Sequence, residues 1–245
     1  MKAIVLAAGK GTRLQSEAYH LPKALRPLCG KPLISYVLES LNFIAPEDTL
    51  IIVGYQKEKV MEAVGGRYHF AEQTTLNGTA KATLCGEAFF GNYSGSILVC
   101  YCDMPFLRRE TYQAMLQQHE ATGAGNTLLT SKAHPIPPYG RLIRDASGRL
   151  LDVIEESACT EAQKKIDEVN VGIQVLKSPE MWSWLKQVDN QNPHKEYYLT
   201  GVARVLAKAQ VTQSTLLLTD EKQMRGINTL EDLHAAEEIV NKMQT

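Results

Sequence analysis

The sequence that decides the fold is Ala3-Ile4-Val5-Leu6-Ala7-Ala8-Gly9-Lys10-Gly11-Thr12-Arg13, near the start of a chain of 245 residues. Residues 4–6 are continuously apolar, as expected for a strand that is covered on both faces of a parallel sheet. The glycines that follow carry no Cβ, so backbone N–H groups of the turn can approach a phosphate closely. The stretch therefore predicts a first strand that leads into an anion-binding turn containing Lys10 and Arg13.

Two common nucleotide-binding motifs do not fit this turn. A P-loop requires GxxxxGK[ST], but Gly9 has no glycine at the required upstream spacing, and Gly11 follows the lysine. The dinucleotide fingerprint GxGxxG fails because Leu14 takes the place of the third glycine. What remains is a glycine-rich turn with cations inside it and Lys23 nearby. The alternative is an ordinary glycine turn whose charged side chains are solvated.

Apolar runs and helical patterns alternate along the first half of the chain, which is typical of a βαβ series. The pattern predicts strands at Ala3–Ala7, Thr49–Val53, Ser96–Cys102 and Asn126–Ser131, and helices at Pro32–Leu41, Lys57–Val64, Gly78–Phe89 and Arg109–Thr122. After about His134 it predicts strands at Gly140–Arg144, Leu150–Glu155 and Val169–Val175, then helices at Pro179–Gln187, Tyr198–Ala209 and from Thr229 onward. We therefore expect an α/β fold, a Rossmann-like, mostly parallel sheet with helices on both faces and a smaller β-rich lobe on the ligand side. No linker or repeat interrupts it, so residues 1–245 are expected to form a single domain.

The composition indicates which kinds of molecule the protein binds. The formal net charge of −1 leaves no basic footprint for nucleic acid, and no stretch approaches the roughly 18 apolar residues of a membrane span. The five cysteines are odd in number and form no CxxC pair, so a reducing compartment is expected. These features predict a cytoplasmic protein with small-molecule ligands, and they leave its oligomeric state open.

Asp103 follows the apolar strand predicted at Ser96–Cys102 and precedes Met104-Pro105. Ligands of open parallel sheets lie beyond the carboxyl ends of the strands, where a carboxylate can hold Mg²⁺. The alternative is that Asp103 only begins a turn before proline.

The glycine turn followed by Leu21-Pro22-Lys23 resembles the signature of the sugar-phosphate nucleotidyltransferase family. The later segments are most similar to the uridyltransferase domain of bacterial bifunctional N-acetylglucosamine-1-phosphate uridyltransferases. These segments are Gln73 with Gly78-Thr79, Tyr101-Cys102-Asp103-Met104-Pro105, Tyr139-Gly140-Arg141, Ile154-Glu155, Asn170-Val171-Gly172-Ile173, Glu196-Tyr197-Tyr198-Leu199-Thr200 and Asn228. In that order they cover essentially the whole chain.

The resemblance implies a transfer of UMP from UTP to a sugar 1-phosphate, N-acetylglucosamine 1-phosphate above all, with release of pyrophosphate and with Mg²⁺ as cofactor. It implies catalytic roles for Arg13 and Lys23, and Mg²⁺ ligation by Asp103 and Asn228. It implies nucleotide binding by Leu6, Ala7, Ala8, Gly9, Gly11, Thr12, Gln73 and Gly78, and sugar binding by Thr79, Tyr101, Gly140, Glu155 and Asn170. Arg13 and Lys23 are expected to belong to an exposed anion loop.

Simpler interpretations of several residues stay open at this point. Gln73 could be a solvated loop residue, Glu155 a surface carboxylate, and Asn228 a helix-start residue beside Thr229. Tyr197-Tyr198 is better explained as a pair of core aromatics.

The sequence also departs from the family pattern. The segment between Arg13 and Leu21 is a few residues longer, Ala80-Lys81 replaces Gly-His, Cys102 replaces glycine, Val171 replaces threonine and Gly201 replaces aspartate. Ala80 and Val171 lie near the sugar site that the resemblance implies. The alternatives are a transferase of the same fold with another nucleotide or sugar phosphate, such as a cytidylyltransferase, and a non-catalytic nucleotide-sugar sensor. The acetyltransferase half of the bifunctional enzyme is absent from this sequence, which leaves open whether the chain is a whole enzyme or a part of one.

Overall fold

The computed structural model describes residues 1–16 and 18–244, the last two of these without side chains. The strands in chain order are β1 (Lys2–Ala7), β2 (Pro27–Leu28), β3 (Lys31–Pro32), β4 (Thr49–Val53), β5 (His69–Glu72), β6 (Gly95–Tyr101), β7 (Asn126–Lys132), β8 (Arg141–Arg144), β9 (Leu150–Ile154), β10 (Glu168–Ser178) and β11 (Gln213–Leu218). The α-helices are α1 (Leu33–Ser40), α2 (Lys57–Val64), α3 (Thr79–Leu84), α4 (Glu87–Phe90), α5 (Arg109–Thr122), α6 (Glu180–Lys186), α7 (Val202–Lys208) and α8 (Leu230–Gln244). No helix among these residues is long and apolar enough to cross a membrane.

The main sheet has nine strands, seven of them in the order β11-β7-β10-β6-β1-β4-β5. β1 pairs in parallel with β4 and β6, β4 with β5, and β7 with β11. β10 runs antiparallel to both β6 and β7 and also pairs with β8, which forms a hairpin with β9. The predicted fold class is confirmed: this is a mixed α/β structure with a mostly parallel central sheet between helices.

Two hydrophobic clusters cover the two faces of the sheet, because alternate residues of each strand point to opposite sides. In β1, Val5 belongs to the cluster with Val37 of α1, whereas Ile4 belongs to the cluster with Trp182 of α6. All these side chains are buried, at most 3% exposed. This explains why the strand is apolar without alternation.

The ends of the described chain meet in a third cluster. Its buried members are Leu14, Leu28, Leu33, Ile227, Leu233, Ala236 and Val240. A capping box begins α8: the Asp232 backbone amide donates to Thr229 Oγ1 at 3.1 Å, and the Thr229 backbone amide donates to Asp232 Oδ2 at 2.8 Å. The last helix is thereby held against the glycine-turn segment.

Two predicted helices were wrong in detail, and two strands at the edges of the main sheet were missed. The helix predicted at Gly78–Phe89 is divided into α3 and α4 by Gly86, whose added Cβ would lie 2.8 Å from Ile4 Cδ1, so the backbone approaches β1 closely there. The helix predicted from Tyr198 begins instead as a 3₁₀ turn and becomes α-helical at Val202. The edge strands β5 and β11 were not predicted.

Candidate active site

The glycine turn after β1 is held tightly against the segment that carries Lys23. Gly11 has a φ of 74°, and a Cβ at this position would lie 2.6 Å from Ser16 Oγ and 2.9 Å from Lys23 Cβ. Any side chain here would be strained and would collide with its neighbours. The glycine therefore serves the packing that brings Lys23 beneath the turn.

Lys23 joins the two residues that the resemblance assigns to the metal. Its ammonium forms an ion pair with Asp103 Oδ2 and donates to Asn228 Oδ1 at 2.8 Å, across 80 and 205 residues of sequence. The side chains of Lys23 and Asp103 are only 15% and 14% exposed. The expectation of an exposed loop was therefore wrong for Lys23, because its ammonium lies in the interior cluster, whereas Arg13 is exposed.

Backbone contacts explain how Asn228 reaches Asp103. Asp103 follows β6, at the carboxyl end of a central strand, and the Ile227 amide donates to the Asp103 carbonyl at 2.9 Å. Gly226 permits this approach, since a Cβ there would lie 3.3 Å from Asn228 Nδ2. The backbone N–H of Asn228 donates to Asp232 Oδ2 at 2.9 Å, so the residue also takes part in the start of α8. The helix-start and ligand roles are thus compatible.

A cavity of about 220 Å³ opens beside this cluster. Of the predicted residues it is lined by Leu6, Ala8, Gly9, Lys23, Gln73, Gly78, Thr79, Tyr101 and Asp103. Gln73 is 7% exposed, and its Nε2 donates to the Gly78 carbonyl at 3.1 Å. The interpretation of Gln73 as a solvated loop residue is excluded by this burial.

The residues that the resemblance assigns to the sugar form a second, adjoining group. Tyr101 is hydrogen bonded to Thr79 and packs against Gly172, where a Cβ would lie 3.2 Å from the ring. Burial raises the pKa of the Tyr101 phenol, which therefore stays protonated at neutral pH. The hydroxyl can thus serve as a donor to a ligand.

Glu155 lies near Gly140 and accepts a hydrogen bond from a threonine. Thr200 Oγ1 donates to Glu155 Oε1 at 2.8 Å, and a Cβ at Gly140 would lie 3.4 Å from Glu155 Oε2. Burial raises the pKa of Glu155, and the hydrogen bond from Thr200 opposes that shift. The backbone N–H of Asn170 donates to the Gly140 carbonyl at 2.8 Å, which places Asn170 beside this group. Glu155 is half-buried and is not a free surface carboxylate.

The remaining predicted residues lie outside the 220 Å³ cavity. Arg13 and Asn228 line a neighbouring cavity of about 650 Å³, and Glu155 lines one of about 410 Å³. The Ala7 side chain is 1% exposed in the core and can contribute only its backbone. Thr12 is exposed in the turn.

The sequence analysis assigned no site role to Leu76, before α3, or to Glu196, before α7, although both line the 220 Å³ cavity. It also missed the Tyr197 backbone, which crosses Gly78 where a Cβ would collide with it. The Ala80 amide donates to the Tyr197 carbonyl at 2.8 Å. Tyr197 and Tyr198 are half-buried, so the core interpretation holds only in part. The φ of 120° at Gly78 is a tertiary property that no local pattern reveals.

The donors at Asp103 and Asn228 fit a hard divalent cation. One carboxylate and one amide oxygen already surround a single ammonium, and both are the oxygen ligands that Mg²⁺ prefers. Among the described residues no group of three or more His, Cys, Asp or Glu side chains could hold a metal. Such a site would have to be completed by water and by phosphate oxygens of a ligand, as is usual for Mg²⁺.

A family model, described as the MobA-like NTP transferase domain, matches residues 3–173. The chain belongs to this family. The match covers the glycine turn, Lys23, Asp103 and the residues that the resemblance assigns to the sugar, and it confirms the resemblance to nucleotidyltransferases. NTP transferases of this kind generally use a divalent metal ion.

Curated relatives agree with this assignment. The NTP transferase chain is 34% identical over 239 residues to the "Bifunctional protein GlmU" of Lactobacillus johnsonii, which covers 98% of this chain and 51% of the relative. It is 36% identical over 240 residues to the protein of the same name from Exiguobacterium sp., and this match covers 98% of the chain and 52% of the relative. It is 33% identical over 235 residues to the protein of that name from Bacillus licheniformis, and this match covers 96% of the chain and 51% of the relative. The chain thus spans about half the length of these relatives.

Proposed function

We propose that this nucleotidyltransferase is a sugar-1-phosphate uridylyltransferase, which joins UMP from UTP to N-acetylglucosamine 1-phosphate and releases pyrophosphate. The observation that carries the proposal is one cavity lined by Gln73, Gly9, Lys23 and Asp103. This lining supports the proposal, because an amide that can read a base, a glycine turn that can bind an anion and a carboxylate that can bind a cation lie side by side. The relatives named bifunctional GlmU support the proposal.

The reaction is an in-line displacement at the α-phosphorus of UTP. A phosphate oxygen of the sugar 1-phosphate forms the new bond to phosphorus, and the bond to the bridging oxygen of pyrophosphate breaks. The attacking oxygen is already anionic at neutral pH, so no general base is required. The barrier lies in charge repulsion and alignment, which Arg13, Lys23 and the backbone of the turn relieve. Mg²⁺ bound by Asp103 and Asn228 would neutralise charge on the triphosphate.

The contact between Gln73 and Gly78 supports uracil as the base. A carbonyl only accepts hydrogen bonds, so the Gln73 amide nitrogen must be the atom that faces Gly78, and Oε1 is the atom that remains to accept from a ligand. Uracil N3 carries a hydrogen and can donate to that oxygen. Cytosine N3 carries no hydrogen and is an acceptor. In the same position it would face Gln73 Oε1, also an acceptor, with no hydrogen bond between them.

We therefore expect kcat/KM for UTP to exceed that for CTP by about 100-fold or more, because a polar site left unpaired discriminates strongly. Pyrophosphate release from UTP, CTP, GTP and ATP, with Mg²⁺ and a panel of sugar 1-phosphates, measures the preference directly. A higher kcat/KM for CTP would favour the cytidylyltransferase alternative, and no release from any pair would favour the non-catalytic sensor.

Two departures from the family pattern do not argue against the amino sugar. Ala80 is fully buried, and Val171 is 5% exposed, each in one of the large core clusters. Their side chains pack among apolar residues, so alanine and valine suit the surroundings in which they lie. Glu155, an acceptor, suits a hydroxyl or amide N–H of the sugar.

Replacing Thr200 by valine is expected to raise KM for the sugar 1-phosphate about 10-fold, since hydrogen bonds to charged groups contribute roughly 1.5–3 kcal/mol. KM for UTP should not change. The lost bond lowers the pKa of Glu155 in the wild type, so its removal raises that pKa. Because the ionised carboxylate of Glu155 is a stronger acceptor than the protonated acid, the acid limb of kcat/KM for the sugar substrate should move to higher pH.

Thr200→Ser keeps the hydroxyl and should restore both the KM and the pH profile. Equal pH profiles for the valine variant and the wild type would show that Thr200 does not act through Glu155.

We further propose that residues 1–245 form a single nucleotidyltransferase domain whose partners are its small-molecule substrates. The cluster that joins Leu14 and Leu28 to Leu233 and Ala236 of α8 supports this, because it connects the two ends of the described chain.

A further inference from the structure

Lys23 occupies the position between the two proposed metal ligands. The same ammonium contacts the Asp103 carboxylate and the Asn228 amide oxygen. Exposure of 15% for Lys23 and 14% for Asp103 means that water screens the pair only weakly. The oxygens that would hold a divalent cation are therefore already satisfied by a cation belonging to the protein.

We propose that Lys23 competes with the divalent cation for Asp103 and Asn228, and that its ammonium leaves the cluster when the metal enters. The inference rests on the proposed function, in which these two residues bind the metal and Lys23 contacts phosphate. It assigns Lys23 two successive partners. In the metal-free protein it neutralises Asp103, and in the loaded site it binds the nucleotide.

The location of Lys23 provides the second partner. Its backbone packs under Gly11, while the side chain also lines the 220 Å³ cavity beside Gly9. A rotation of the flexible side chain can therefore carry the ammonium from Asp103 toward the anion-binding turn without a change in the backbone. Rotation of the Lys23 side chain is therefore sufficient to bring the ammonium to a bound phosphate.

Charge balance then couples metal and nucleotide. A divalent cation that joins Lys23 and Asp103 without a nucleotide leaves an excess of positive charge in a weakly solvated cluster. A triphosphate offsets that excess and accepts the displaced ammonium. We therefore expect weak metal binding by the nucleotide-free protein and cooperative binding of metal and nucleotide.

Direct binding of Mn²⁺ to the nucleotide-free chain, followed by the electron paramagnetic resonance signal of free Mn²⁺, tests the competition. Lys23→Met keeps the length of the side chain and removes its charge, so it should bind Mn²⁺ at least tenfold more tightly than the wild type. Lys2→Met is the matched control, because Lys2 pairs with Asp48 at 2.5 Å at the opposite end of β1, and its Mn²⁺ affinity should equal that of the wild type. The double variant Lys23→Met/Asp103→Asn should lose the gain. Equal or weaker binding by Lys23→Met would overturn the proposal.

A measurement on the wild type covers the case in which Lys23→Met does not fold. Acetylation of lysine amines, followed by mass spectrometry, should modify Lys23 slowly in the metal-free chain and several-fold faster at saturating Mn²⁺, while Lys2 is unaffected. An unchanged or slower rate at Lys23 would contradict displacement. Neither experiment contains nucleotide or sugar, so a wrong base or sugar assignment would leave both results intact.

Discussion

Replacement of Arg13 by alanine is expected to lower kcat/KM about 10²- to 10³-fold, the loss typical of removing one preorganised group that stabilises developing charge. Arg13 is exposed, and no ion pair joins it to another residue of the described chain. It lines a cavity together with Asn228, so its charge is available to the departing pyrophosphate. Because exposed substitutions usually change stability by about 0.5 kcal/mol or less, the melting temperature should stay close to that of the wild type.

Steady-state pyrophosphate release and a thermal melt on the same preparation check this expectation. Arg67→Ala is the matched control: Arg67 is also exposed, but it lines a separate cavity with Tyr68, and its replacement should leave turnover unchanged. Undiminished turnover in Arg13→Ala would remove the residue from the site. A large fall in melting temperature would instead show a structural role.

Replacement of Asp103 by asparagine is expected to raise the Mg²⁺ concentration required for half-maximal activity by on the order of 10- to 100-fold, a loss seen even for groups one step removed from a metal. The substitution keeps the shape of the side chain but removes the only formal negative charge of the pair with Asn228. It also leaves the Lys23 ammonium without its carboxylate. Turnover should therefore fall even at saturating Mg²⁺, and Asn228→Ala should show the same effects more weakly.

Activity as a function of Mg²⁺ concentration measures this effect. Asp48→Asn, which breaks the pair with Lys2 away from the site, serves as control and should show the wild-type Mg²⁺ dependence. Wild-type activity of Asp103→Asn at low Mg²⁺ would falsify metal ligation by Asp103.

Some elements were predictable because their local pattern and their tertiary role agree. After Lys2 and Thr49 at their starts, the strands β1 and β4 are continuously apolar and buried, as expected for a sheet covered on both faces. The helix α5 was predicted with its observed bounds, since Gly123 ends it with a φ of 60°. The edge strands β5 and β11 were missed because their residues are mostly half-exposed, and short, partly polar strands depend on the neighbouring strand for their stability.

The α/β class, the glycine turn after β1 and the position of Asp103 at the end of a central strand followed from the sequence alone. These are local properties, carried by runs of apolar residues, glycines and strand ends within a few positions of one another. The roles of Gln73, Glu155 and Asn228 came only from resemblance, because their partners lie far away in the sequence or depend on a glycine conformation. The contact of the half-buried Lys23 with Asp103 and Asn228, 80 and 205 residues away, became visible only in the tertiary structure. Where an ammonium finds its counter-charge depends on how the ends of β6, α8 and the glycine turn meet in space, and no local pattern of residues encodes that meeting.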